Sequence, residues 1–356
     1  MDDATAPIRK KPTIYDVAKA AGVAPSTVSR AFARPGRVNA ETAEHIRRVA
    51  ARLGYRTNPL ARALPTGQTR MIALVIADVT NPFHFGIIRG AEAAASAAGY
   101  TMILADAQES DRREREFLER ALPTVEGVVL ASPRMSDSAI RMTAKQCPTI
   151  VLNRAVPDVP SVVTDIPRGM RRAVEHLGEL GHDSITYAAG PEASWTDGMR
   201  WRSLLEASLE LDLKVRRIGP FPPTVSGGVK AAEEFRGQPH PTRALIAYND
   251  LLGIGVLRGL QAQGVRIPRD VSVVGFDDIF AADLVTPGLT TVAAPLRSLG
   301  TTAVRNLLAV INGARSRVGE PITVPTRLVI RSSTGQRSRK RTSPAFGTTK
   351  VSGSAS

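Results

Sequence analysis

The spacing of apolar positions changes character once along the chain, near residue 70. Ahead of that point it is helical. Three short helices are predicted between Thr13 and Tyr55. Thr13 and Asp16 have the spacing of a capping box, with Asp in place of the usual Glu. Gly22 allows a tight corner, and Pro25 stands at the first position of a second helix running to about Phe32. Asn39 caps a third helix over Ala40–Leu53, with Ala43, Ile46, Val49 and Leu53 as its apolar stripe and Gly54 as its stop. These residues amount to a small domain with a thin core. The next segment, NPLARALPTGQT, would start a short helix over Leu60–Leu64 before Pro65 and Gly67 stop it. So short a helix is unstable alone, so the segment is a linker expected to order with a partner.

Beyond Arg70 the pattern turns to apolar strands alternating with helices. The strands are MIALVIADV, TMILADA, VEGVVLASP, PTIVLNR, SITYAAG, RALIAYND and VSVVGFDD, with helices such as Phe83 to Ala98 and Arg168 to Leu180 between them. This alternation implies parallel sheets covered on both faces. Residues 71–330 suffice for two such lobes.

Composition narrows the picture. Hydrophobic residues make up 43% and aromatics 4%, so the core is built of Ala, Val, Leu and Ile. The single cysteine, Cys147, excludes an internal disulfide framework. The opening MDDATAPIRKKPT lacks the apolar run of a signal peptide, and no run of about 18 apolar residues could span a membrane. A cytoplasmic location and no membrane partner are expected. The net charge of +14 is unevenly spread: +8 in residues 1–70, zero in 71–330 and +6 in 331–356. A neutral body with a basic head points to a polyanion as the partner of the head. Residues 335–356, rich in Ser, Thr and Arg, have the composition of a disordered basic tail, and residues 1–12 that of a disordered arm.

Two regions carry chemistry. Val17 to Phe32 resembles a helix-turn-helix, in which the second helix enters the major groove of DNA. Its outward residues would be Pro25, Ser26, Ser29 and Arg30. The arginine fork matches two acceptors on guanine, while hydroxyls suit phosphates or less selective contacts. In the body, ligands of open α/β sheets bind beyond the carboxyl ends of the strands. Asp78, Asn81, Asn153, Arg154, Asn249 and Asp277 stand at such ends, and Arg200 follows the Gly190-Pro191 turn. Side chains that make paired hydrogen bonds suit a ligand rich in hydroxyls. Phe83 and Trp195 offer an apolar platform for one ligand face.

The run IYDVAKAAGVAPSTVSRAF, followed by RVNAETAEHIRRVAARLGYRTNPLARAL and MIALVIADVTNPF, resembles the LacI/GalR family of bacterial transcription repressors. The later blocks GVVLASP, AVEHLGELGH, YND, VSVVGFDD, PGLTTV and TRLVIRSSTG agree in order, so the resemblance covers about residues 13–335. It implies an all-α helix-turn-helix head (13–57), a hinge helix and linker (58–70) and a two-lobed α/β core like periplasmic binding proteins (71–334). Lobe one would be about 71–163 with 293–323, and lobe two about 164–292 with 324–334. The resemblance further implies a homodimer, or a higher assembly, on a palindromic double-stranded DNA operator. No cofactor is implied, only a small effector such as a sugar or a related polyol or nucleoside. Base reading would fall to Pro25, Ser26 and Arg30, and phosphate contact to Thr27 and Ser29. Leu64 would be the minor-groove wedge, with Ala61 and Arg62 beside it. Arg200, Asn249, Asp277 and Asn153 would touch the effector. Three departures matter. Ala24 stands where relatives carry a capping serine, Pro25 has no donor side chain, and Ala131 and Ala294 replace residues that touch the ligand in some relatives.

An enzyme and a solute-binding protein with an incidental basic head are the alternatives. There is no HExxH, CxxC or P-loop, and Gly253-x-Gly255 lacks the third glycine of a dinucleotide site. The basic head argues against a transport protein. The sequence therefore leads to a ligand-responsive transcription regulator with repression as its expected action.

Overall fold

A computed structural model describes residues 12–33, 35–55, 68–314 and 319–337. The expected terminal arm, the hinge helix with Ala61, Arg62 and Leu64, and most of the basic tail lie outside the described residues.

The head contains α1 (Ile14–Ala21), α2 (Pro25–Ala33), a 3₁₀ turn at Pro35–Arg37 and α3 (Ala40–Leu53). The capping box is complete: the Thr13 amide donates to Asp16 Oδ2 at 2.7 Å, and the Asp16 amide donates to Thr13 Oγ1 at 3.4 Å. Gly22 takes φ 66°, the left-handed conformation that lets the chain double back after one residue. Ala24 offers α2 only its carbonyl, which accepts from Thr27 and Val28. Asn39 Oδ1 caps α3 by accepting from the Glu41 amide at 2.9 Å. The three helices close over Val17, Ala18, Ala21, Val28, Ala31, Ala43, Ile46, Val49 and Ala50. Leu53, expected in the stripe of α3, is 37% exposed, and Ala50 is buried instead. Leu53 still falls on the arc set by Ala43, Ile46, Val49 and Ala50, so its exposure reflects its place as the last residue of the helix.

The body is two six-stranded sheets. The first comprises β1 (Met71–Ile76), β2 (Thr101–Asp106), β3 (Gly127–Ala131), β4 (Thr149–Leu152), β5 (Ser161–Thr164) and β11 (Ile322–Val324), in the order β11-β5-β4-β3-β1-β2. The second comprises β6 (Ser184–Ala188), β7 (Lys214–Ile218), β8 (Ala244–Ala247), β9 (Ser272–Asp277), β10 (Thr290–Ala293) and β12 (Arg327–Val329), in the order β12-β10-β9-β8-β6-β7. β1/β3, β3/β4, β4/β5 and β5/β11 are parallel, as are β6/β7, β6/β8, β8/β9 and β9/β10, while β12 runs antiparallel to β10. The first sheet carries α4 (Phe83–Ala97), α5 (Asp111–Ala121), α6 (Asp137–Gln146) and α12 (Leu296–Ile311). With the second go α7 (Ile166–Glu179), α8 (Trp195–Glu210), α9 (Val225–Gly237), α10 (Asp250–Ala262) and the short α11 (Ala281–Leu284).

The chain leaves the first sheet after Thr164, returns after Ala293 and leaves again after Val324. The crossings are tied together: the Asp165 amide donates to the Val324 carbonyl at 2.9 Å, and Thr326 Oγ1 donates to the Asp165 carbonyl at 2.8 Å. Five strands escape the sequence pattern: β5, β7, β10, β11 and β12. β7 reads KVRRI because it is an edge strand, and no apolar run marks it. β10 is fully buried but reads TTVA, its threonines finding partners inside the fold.

Candidate functional site

The exposed face of α2 is formed by Pro25, Ser26, Ser29 and Arg30, with Thr27 half-buried beside them. Val28 and Ala31 turn inward against α1 and α3. Burying those two fixes the rotation of α2, so the hydroxyls and the guanidinium point outward together.

Within the body a cleft opens between the sheets, at the carboxyl ends of their strands. Six residues expected from sequence line it: Asn81, Phe83, Asn153, Arg200, Asn249 and Asp277. Its center is the ion pair of Arg200 and Asp277. Arg200 Nη2 donates to Asp277 Oδ1 at 2.9 Å, and Nη1 donates to the Tyr248 carbonyl. The guanidinium carbon lies 3.8 Å from the Phe276 ring centroid and 4.9 Å from that of Tyr248. Both side chains of the pair are about 5% exposed or less, and Arg200 Nε has no partner. The helix that delivers Arg200 is fixed by Asp197, which accepts from Tyr187 Oη, the Gly190 amide and Arg217 Nη2 at 2.9, 2.7 and 2.6 Å. On the first lobe, Asn153 Nδ2 donates to Ser132 Oγ and its Oδ1 accepts from Thr164 Oγ1, both at 3.3 Å. Ser132, Asn153 and Asp277 all have positive φ, of 59°, 62° and 117°. Such strain costs about 1–3 kcal/mol per residue and gathers at functional sites.

Three expected residues are not in the cleft. Asp78 Oδ1 accepts from the Thr80 amide and hydroxyl at 2.8 and 2.7 Å, so this carboxylate caps its own turn. Arg154 donates to the carbonyls of Pro133 and Met135 and pairs with Asp137 at 2.5 Å, pinning the loop after β3. Trp195 packs on the core at the start of α8. Conversely, His84, Glu109, Ser132, Arg134, Thr196 and Tyr248 line the cleft without having been singled out from sequence. His84 directly follows Phe83, which the sequence singles out, but nothing local distinguishes Arg134 from the other arginines. Arg134 Nε donates to Glu109 Oε2 at 2.6 Å and Nη1 to the Ser132 carbonyl at 3.0 Å. Burial, aided by the Arg134 charge, pushes His84 down to about 4, so the imidazole is neutral at pH 7. Its Nδ1 has no partner. Asn249 Oδ1 is committed to capping α10 through the Leu252 amide at 2.9 Å. The free volume between the lobes is about 20 Å³, room for roughly one water. A larger ligand needs the lobes to part.

Burial also holds the Asp277 carboxyl up at about 6 against an ordinary 3.8, with Arg200 pulling the other way. The folded carboxyl therefore takes up its proton at higher pH than the unfolded one. Stability from this group is present below the unfolded value and is lost as pH rises through about 6. Burial of neutral His84 acts in the opposite sense, so the check is a difference between proteins: in urea unfolding, the stability of wild type relative to Asp277→Asn should fall between pH 5 and pH 7. An unaltered pH dependence in the variant would refute the assignment.

Residues 13–58 match the family model "Bacterial regulatory proteins, lacI family", and residues 174–334 the model "Periplasmic binding protein-like domain". The chain is 30% identical over 330 residues to the HTH-type transcriptional repressor CytR of Escherichia coli (strain K12), covering 90% of this chain and 96% of that one. Among solved structures it is similar to a lac repressor dimer bound to operator and the anti-inducer ONPF, with a TM-score of 0.83 and 26% identity over 92% of this chain and 100% of that one. It is also similar to a transcriptional regulator CelR–cellobiose complex, with a TM-score of 0.68 and 30% identity over 90% of this chain and 99% of that one.

Proposed function

Because the chain belongs to the lacI family of bacterial regulatory proteins, we propose that it represses genes from a palindromic operator until a sugar or related polyol or nucleoside binds between its lobes. It is a DNA-binding transcriptional regulator and not an enzyme, as its relatives are regulators. No helix among the described residues is long and apolar enough to cross a membrane, and a cytoplasmic place of action fits a DNA partner.

The observation that carries the reading is the pair of Arg200, on α8, and Asp277, at the end of β9, in the second lobe, lining one cleft with Asn153, Asn81 and Phe83 of the first. Each polar group offers more than one hydrogen bond in a fixed direction, which suits adjacent hydroxyls on a ring. A sugar effector is supported by the CelR relative, which is solved with cellobiose. Thermal-shift titration of the full chain with cellobiose and other mono- and disaccharides tests this. Stabilization by a saccharide that is lost in Asp277→Ala supports the reading, and stabilization by none of them refutes it.

On DNA, two heads related by a dimer axis would read an inverted repeat. Arg30 and Ser26 would supply base readout, Thr27 and Ser29 phosphate contact, and Pro25 shape alone. Ala61, Arg62 and Leu64 would contribute at the minor groove, with Leu64 as the wedge. Arg30→Ala should weaken the site selected from a randomized duplex pool by roughly 1–3 kcal/mol and leave nonspecific binding nearly unchanged. Equal losses on both duplexes would make Arg30 a phosphate contact.

A further inference from the structure

Asp250 follows Asn249 in the chain but does not line the cleft. It is the first residue of α10 and is fully buried, where an unpaired carboxylate would be destabilizing. Its seat is built from three sides. Oδ2 accepts from the Ile279 amide at 2.8 Å, and Oδ1 accepts from Thr291 Oγ1 at 2.5 Å. Gly275 of β9 leaves the room, since a Cβ there would lie 2.2 Å from Oδ1. Thr291 in turn accepts from the Asp278 amide at 3.4 Å. One carboxyl group thus ties β10 and the turn that follows β9 to the start of α10.

That turn is strained. Asp277 and Asp278 have φ of 117° and 56° in succession, and such backbone persists only where its surroundings hold it. The two carboxylates go to different partners, Asp277 to Arg200 at 2.9 Å and Asp278 to Arg331 at 2.8 Å. The amides of Asp278 and Ile279, the next two along, are the ones tied to Thr291 and Asp250. Burial, with the Asp277 charge adding to it, pushes the Asp250 carboxyl well above the ordinary carboxylate range. A protonated Asp250 adds no second negative charge beside the Arg200–Asp277 pair, and an amide in its place would fill the same seat, its oxygen accepting from Ile279 and its nitrogen donating to Thr291.

We propose that Asp250 is a positioning residue of the effector site: by binding Ile279 and Thr291 it holds the turn after β9 and aims Asp277 at Arg200. This rests on the reading that the effector binds the Arg200–Asp277 pair, and it adds to that site a residue outside the cleft lining.

Two measurements on the full chain test it. Hydrogen exchange needs no effector: the amides of Asp278 and Ile279 should exchange slowly in wild type and in Asp250→Asn, and ~tenfold faster or more in Asp250→Ala, which takes their anchor away. Calorimetry with cellobiose, or with the saccharide that stabilizes the full chain in its place, should show affinity reduced by ~tenfold or more in Asp250→Ala and restored to within ~threefold of wild type in Asp250→Asn. An Asp250 that only supports the fold would lower the melting temperature of Asp250→Ala and leave both the exchange of these two amides and the saccharide affinity of the folded protein as in wild type. That outcome overturns the proposal. Asp277→Ala separates it from the reading it rests on. If Asp277→Ala binds the saccharide as wild type does, the effector reading fails and the proposal with it. If Asp277→Ala loses the saccharide while Asp250→Ala keeps it, only the positioning role fails.

Discussion

Arg200→Ala is expected to abolish the response to effector while the protein still binds its operator. The guanidinium holds Asp277 and the Tyr248 carbonyl together and lies on the Phe276 ring. Removing it leaves the Asp277 carboxylate without its counter-charge in a site that is almost fully buried. Breaking one side of a buried pair costs about 3–5 kcal/mol. A ligand that relied on the same guanidinium loses a charged hydrogen bond as well, so its affinity should fall by at least ~100-fold. Arg200→Lys should recover little, because an ammonium cannot span the carbonyl and the carboxylate as a planar fork does. Calorimetry with the saccharide found by thermal shift, beside operator binding with and without it, checks both halves. Unchanged saccharide affinity in Arg200→Ala would remove this pair from the effector site, and lost operator binding in both variants would assign Arg200 to folding alone.

A second large effect is expected from a single methyl group. In the second lobe α9 and α10 cross with their backbones in contact. A Cβ at Gly255 would sit 2.1 Å from the Val225 carbonyl oxygen and 2.7 Å from Gly228 Cα, and one at Gly228 would sit 2.1 Å from the Leu252 carbonyl oxygen. Neither obstacle is a side chain that could turn away. Gly255→Ala must push the helices apart and loosen the packing of Ala231, Ala232, Phe235, Val256 and Leu257 in the core. A loss of about 3 kcal/mol or more is expected, at the upper end for overpacking. Gly237→Ala, on the same α9 but with nothing within 4 Å of its Cβ, should be neutral or stabilizing by up to ~1 kcal/mol. Thermal melts of the two variants make the comparison. Equal melting temperatures would show that the crossing tolerates a wider spacing.

Gly253 and Gly255 illustrate how a sequence can be read correctly and still mislead by silence. Their spacing excludes a dinucleotide loop, and the pair indeed lies in α10. What they do instead depends on partners elsewhere in the chain: Gly255 lets α9 touch at Val225 and Gly228, and Gly253 makes room for Leu289. The cleft repeats the lesson. Asn249 is at the strand end where sequence puts it and lines the cleft, yet its side-chain oxygen is taken by the cap of α10. Arg154 follows a strand like Asn153, but its long side chain reaches the carbonyls of Pro133 and Met135 and so serves the loop beside the cleft.

What the sequence by itself determined is what adjacent residues decide among themselves. The capping box at Thr13, the corner at Gly22, the span of α3 and the central strands of both sheets follow from local hydrogen bonding and from the period of apolar positions. The wound α/β class and the family likeness follow from the order of those elements. Tertiary structure alone decided which polar side chains are left over for a ligand. Arg134, Glu109 and His84 come from separate segments that meet at the strand ends of the first sheet, and Tyr248 joins them from the second. Asp78 and Arg154 are removed from the cleft by bonds to nearby backbone or to another loop. The short strands β5, β10, β11 and β12 are likewise settled by neighbors distant in sequence. The physical reason is the same throughout: a hydrogen-bonding group is satisfied by whichever partner lies within about 3 Å, and only the folded chain fixes which one that is.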